Sequence, residues 1–268
     1  MNGFEDQILR PLGARFLERT FDKTRGKIEI LARTACMGDD LLARCFRKSR
    51  VSVQKYQKLR VDQFAEFLDK STFMSSFNEY LEFSASVNSL PNLPSRLLGE
   101  FFTRDPREAL LESDFMILDS FCELVDRKWS IKNGLYAYGT SSDYEGLAKS
   151  DGLIDIEVLD NSLNKIIRFS QMQNVFRPIV WLHYSANNDG REQYRRRSQE
   201  LLEVALEKSR SYESFHVVRL PDDQYDFSER DFLPYHYGKK TMGNLKLELI
   251  KILSQYNIYS SRYTYKFD

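Results

Sequence analysis

Two short runs, DFMILDSF at residues 114–121 and RPIVWLH at 177–183, are apolar almost without interruption between polar flanks. A strand that is apolar on both faces has to be covered on both faces, which is the condition of a central strand in a parallel sheet with helices on each side. Three more segments read as strands: KIEILA at 27–32, VSVQKY at 51–56 and SFHVVRL at 214–220. Between and after them apolar residues recur at helical spacing. The clearest cases are 61–68, 154–172, 192–210 and 240–253, together with Leu41, Leu42, Cys45 and Phe46 after Gly38 and Asp39, where Asp39 is the expected N-cap. Strand and helix alternating in this way predict an α/β fold, a doubly wound and mostly parallel five-stranded sheet of the flavodoxin-like three-layer kind.

The 268 residues fit one such domain over 26–256. Residues 1–25 read as a helical extension and 257–268 as a tail. A stretch at about 70–110, aromatic but broken by Pro91, Pro94 and Pro106, is longer than a crossover needs and reads as a partly helical insertion. The segment 129–151, with Asn133-Gly134 and a Ser/Thr cluster, reads as a long loop or hairpin over one sheet edge.

Lysines plus arginines equal aspartates plus glutamates at 39 each, so no electrostatic footprint for nucleic acid is present. The densest basic run, Arg195, Arg196 and Arg197, shares a helix with Glu192 and Glu200 and reads as a solvated face. Three cysteines without CxxC spacing argue against a disulfide framework and a zinc site, and lead to the expectation of a reducing, cytoplasmic setting. No signal-type apolar core opens the sequence and no window reaches the roughly eighteen apolar residues of a membrane span, so neither export nor a membrane span is expected.

Ligands of open parallel sheets sit beyond the carboxyl ends of the strands. Those ends carry Arg33, Thr34, Ala35 and Cys36 after the first strand, Asp119 and Ser120 after the third, and His183, Tyr184 and Ser185 after the fourth; His236 stands before the last helix. A cysteine that opens a helix gains nearby N–H groups and the positive dipole end, which favour the thiolate; a lone cysteine also fits as a small buried residue, and both readings stand for Cys36. Cys45 and Cys122 read as buried. His236, in DFLPYHYGKK, reads equally as a proton acceptor for a thiol or as a structural ring. His183 divides between the site and the core, and His216 reads as structural.

A nucleophile after the first strand and a histidine before the last helix resemble the SGNH/GDSL hydrolase superfamily, in its divergent branch from bacterial capsule and surface-polysaccharide gene clusters, where cysteine replaces serine. Thr34, Ala35 and Cys36 stand where the family has Gly-Asp-Ser, and His236 where it has the histidine of Asp-x-x-His. The likeness spans about residues 26–253 by order of elements. Leu233 occupies the place of the orienting aspartate, which leaves Asp231, by another loop path, or no residue at all to hold His236.

The resemblance implies acyl transfer or ester hydrolysis on a carbohydrate or other acylated small molecule, with Cys36, His236 and Asp231 as catalytic residues. Arg33, Thr34, Met37, Asp119, Ser120, His183 and Asn187 are then expected around substrate or oxyanion, with no metal. Coenzyme A is a chemically suitable acyl donor, since a thioester passes to a thiolate at little cost in leaving group. The missing aspartate and oxyanion blocks also fit a second expectation, a catalytically silent carbohydrate-binding or scaffold relative. A nucleotide-binding module finds no support, since neither GxGxxG nor GxxxxGKS follows any strand.

Overall fold

A computed structural model describes residues 27–56, 60–69, 105–130, 136–139, 149–172, 177–227 and 236–258. The expected N-terminal extension, most of the 70–110 insertion, most of the tail, the Asn133-Gly134 turn and Asp231 lie outside the described residues.

In chain order the elements are β1 (Ile28–Arg33), α1 (Cys36–Cys45), β2 (Val51–Lys55), α2 (Val61–Glu66), α3 (Pro106–Glu112), β3 (Phe115–Asp119), α4 (Phe121–Val125), β4 (Arg127–Ser130), β5 (Tyr136–Gly139), β6 (Lys149–Gly152), α5 (Ile156–Gln171), β7 (Ile179–Leu182), α6 (Glu192–Ser211), β8 (Phe215–Val218) and α7 (Lys239–Gln255). Each of the five segments read as strands from their apolar runs forms a strand of one sheet, in the order β2-β1-β3-β7-β8. All four pairings in it are parallel. The apolar runs of β3 and β7 are buried at every position, as strands covered on both faces must be.

α1 packs against α7, while α2, α5 and α6 pack in series and α4 joins α6. Right-handed crossovers require this division: the connection from β1 to β2 runs one way along the sheet, those from β3 to β7 and β8 run the other, and the helices fall on opposite faces. The chain reverses direction between β1 and β3, so their carboxyl ends open a crevice at that place.

Two features depart from the sequence reading. β4, β5 and β6 form a second, antiparallel sheet in the order β5-β4-β6; the β4–β5 pair is the hairpin that was one of the two expected readings, and β6 adds a strand to it that was not expected. Asp39 does not cap α1. The helix starts four residues earlier, with Ala35 at the N-cap and no side-chain cap, and Asp39 N donates to Ala35 O at 3.2 Å as an ordinary helical bond. The physical reason lies in the turn from β1, which a carboxylate from β3 holds in place of a local cap.

Candidate functional site

The crevice at the sheet reversal is lined by the turn after β1 and the end of β3. Asp119, fully buried at the end of β3, accepts the Ala35 N–H with Oδ2 at 2.5 Å and the Phe121 N–H with Oδ1 at 3.2 Å. Burial pushes its carboxyl up to about 6, against the opposing pull of Arg33 and of those N–H donors. Gly38 makes this approach possible. A Cβ there would lie 2.4 Å from Thr34 Cγ2 and 3.1 Å from Asp119 Oδ2.

Arg33 points inward. Its Nη2 donates to Asp119 O at 2.5 Å and pairs with Glu123 Oε2 at 2.9 Å, with both side chains fully buried. Glu123 Oε1 accepts the Val61 N–H at 2.7 Å, so one carboxylate ties β1, α4 and the start of α2 together. Thr34 Oγ1 donates to Asp39 Oδ1 at 2.8 Å, and Lys55 Nζ reaches Asp39 Oδ2 at 2.6 Å from the end of β2. Ser120 Oγ accepts the Tyr184 N–H at 2.8 Å. Met37 is buried in the core, while Asn187 is exposed in the turn after β7 and its N–H points to Ser185 Oγ at 3.4 Å.

The three cysteines separate cleanly. Cys45 and Cys122 are buried, and burial pushes the Cys45 thiol up to about 12 and the Cys122 thiol well up; Cys36 is exposed as the first residue of α1. His236, half-buried, stands three residues before α7, in the same helical layer as α1. Next to it, Tyr237 stacks on Tyr184, donates its hydroxyl proton to Ser185 O at 3.2 Å and accepts the Ser185 N–H at 3.0 Å. This ties the His236 segment to the turn after β7. Asp226 holds the same segment from the other side: its Oδ1 accepts the Thr241 N–H at 2.7 Å, and its carbonyl accepts the Gly238 N–H at 2.9 Å.

His183 is buried and its ring is held neutral, burial and then Arg219 lowering its pKa to about 3. Ser198 Oγ donates to Tyr184 O at 2.7 Å and accepts the Ala186 N–H at 3.2 Å, so His183 Nε2, 3.3 Å away, must be the donor to it. The Nδ1 then carries the lone pair, buried without a partner. His216 sits half-buried in β8, bonded to Tyr256 Oη at 2.7 Å, as a structural ring would be.

Among the described residues no group of three His, Cys, Asp or Glu side chains is gathered to hold a metal ion, and no helix is long and apolar enough to cross a membrane. Glu123, Lys55 and Tyr237 were not anticipated, and Asp39 was expected only as a helix cap. Glu123 had a legible signal, a lone carboxylate in the apolar FCELV run, matched by Arg33 at the end of another apolar run. No protein-family model matches the chain, and no curated protein matches it significantly in sequence.

Proposed function

We propose that the crevice between β1 and β3 performs acyl transfer or ester hydrolysis on an acylated carbohydrate, with Cys36 as nucleophile and His236 as its proton acceptor, in a reducing, cytoplasmic setting. The observation that carries this reading is the position of Cys36: it alone of the three cysteines is exposed, and it opens a helix at the sheet reversal. The helix packed beside α1 begins just after His236.

In the proposed reaction His236 takes the thiol proton and the thiolate sulfur bonds to the carbonyl carbon. The N–H groups of Cys36 and Met37, in the unpaired first turn of α1, are the donors available to the oxyanion. The Ala35 N–H is already committed to Asp119. Collapse breaks the bond from the carbonyl carbon to the leaving oxygen or sulfur, which takes the proton back from His236. A sugar hydroxyl or water then attacks the S-acyl group, loses its proton to His236 and restores the thiol. Coenzyme A is the proposed donor where the leaving atom is sulfur, and Asp231 the proposed orienting carboxylate.

Iodoacetamide labelling against pH tests this reading. Cys36 is expected to alkylate faster at neutral pH than a free cysteine thiol, and His236→Ala to slow it. Cys36→Ala is expected to abolish hydrolysis of an acetylated sugar. An ordinary alkylation profile that His236→Ala leaves unchanged would instead favour a silent carbohydrate-binding domain.

A further inference from the structure

A cleft of about 460 Å³ opens beside this edge, on the other helical layer, between α4, the turn from β6 into α5 and the start of α6. That volume lies in the range of small-molecule sites. One wall is apolar: Leu124 and Val125 from α4, and Leu153, a large apolar side chain left 40% exposed. The lining also holds three arginines, and their partners differ.

Arg191 is neutralised. Its guanidinium makes two bonds to the Asp189 carboxylate, at 2.9 and 2.7 Å, and lies 3.7 Å over the Tyr194 ring. Asp189, Arg191 and Tyr194 thus form a fixed plate with little charge left over. Arg127, exposed at the start of β4, has no hydrogen-bond or ion-pair partner among the described residues. Arg197 has only 12% of its side chain exposed. Its Nη2 donates to Ile154 O, its Nη1 reaches Glu200 only at 3.5 Å, and Glu200 is shared with Arg196; its buried Nε has no partner. Two guanidinium groups therefore face one concave space with little local carboxylate to offset them. A guanidinium so weakly paired at the edge of a cleft is costly unless a ligand anion adds to its contacts.

We propose that this cleft binds an organic anion, a carboxylate or phosphate monoester on an apolar body, with Arg127 and Arg197 on the anionic group and the body against Leu124 and Leu153. Planar guanidinium forks suit both headgroups, since each offers oxygens for paired N–H donors. The site does not depend on chemistry at Cys36.

Calorimetric titration of the full chain with octanoate, with octyl phosphate and with 1-octanol tests the proposal. At least one of the two anions is expected to bind measurably better than the alcohol, and which one does identifies the headgroup. Arg127→Gln, at an exposed side chain without a partner among the described residues, is expected to keep the fold and weaken binding by about tenfold. Arg197→Gln is expected to weaken it at least as much, with the melting curve checking that it still folds. Cys36→Ala is expected to bind as the parent does, so loss of the proposed reaction and loss of this site are told apart. Equal binding of octanol, no binding of either anion, or unchanged affinity in Arg127→Gln would each overturn it.

Discussion

The Asp119 carboxylate accepts the Ala35 N–H at 2.5 Å, and through that bond the end of the central strand fixes where α1 begins. A fully buried carboxylate replaces a local cap, and the helix starts directly at Cys36 without one. The exposed thiol is thus positioned from β3 as well as from its own strand.

That arrangement needs a residue without a Cβ at position 38. Gly38→Ala would bring a methyl within 2.4 Å of Thr34 Cγ2 and 2.6 Å of Thr34 Cβ, both on a buried side chain with little room to retreat. The expected cost is about 1–3 kcal/mol in urea denaturation, despite the better helix propensity of alanine. Gly243→Ala is the control: it lies exposed within α7 with nothing within 4 Å of the added carbon, and is expected to gain about 0.5–1 kcal/mol. Equal effects at the two positions would show that the β1–α1 turn tolerates movement.

Arg33 and Glu123 form a buried pair whose members also serve the backbone, Arg33 at Asp119 O and Glu123 at Val61 N. Arg33→Met or Glu123→Gln alone leaves one charge buried without its partner and is expected to cost about 3–5 kcal/mol. Combining the two changes should cost clearly less than the sum, because the two charges that face each other are removed together. Additive losses in the double-mutant cycle would mean that the two charges are stabilised independently.

These pairings explain what was legible and what was not. The five strands were readable because β3 and β7 are covered on both faces and their apolar runs have no polar break. Of the second, antiparallel sheet only the β4–β5 hairpin was open to view, as an alternative to a loop, and β6 was not, because RKWS, YAYG and KSDG are four-residue strands with mixed sequences that pairing creates. The α1 start was misplaced because Asp39 has good capping chemistry, while the deciding partner, Asp119, lies 84 positions away from Ala35. Cys36 was legible as a strand-end residue; its exposure, and the inward turn of Arg33 beside it, are set by tertiary contacts that no local pattern encodes.

Asp119 and His183 titrate in opposite senses. Asp119 is raised to about 6, so the folded state holds its proton where the unfolded chain has lost it; its contribution is full below about pH 4 and is lost as pH rises through 6. His183 is lowered to about 3, so its contribution is full above about pH 6.5 and is lost as pH falls toward 3. Between about pH 4 and 6 the two slopes oppose, each up to ~1.4 kcal/mol per pH unit. His183→Gln should therefore leave a stability that falls with rising pH over this window, and Asp119→Asn one that rises. Urea titrations at half-unit steps would refute the assignment if both variants kept the parent slope.

The carboxylate that holds the His236 segment among the described residues is Asp226. It accepts the Thr241 N–H at 2.7 Å and the Lys240 N–H at 3.3 Å, acting as a remote cap for α7, and these bonds, with Thr241, hold its carboxyl below the usual range although burial alone would raise it. Its carbonyl fixes Gly238, two residues from His236, and a Cβ at Gly238 would fall 2.2 Å from its Oδ2. Asp226→Ala removes a cap worth about 0.5–2 kcal/mol and frees the backbone beside His236. The melting temperature should drop modestly, and the iodoacetamide profile of Cys36 should shift toward that of His236→Ala. Asp223→Ala, at an exposed carboxylate in the preceding turn, should change neither. If Asp226→Ala lowers the melting temperature but leaves the Cys36 profile at the parent value, the cap serves α7 alone, and His236 does not depend on it to reach the thiol.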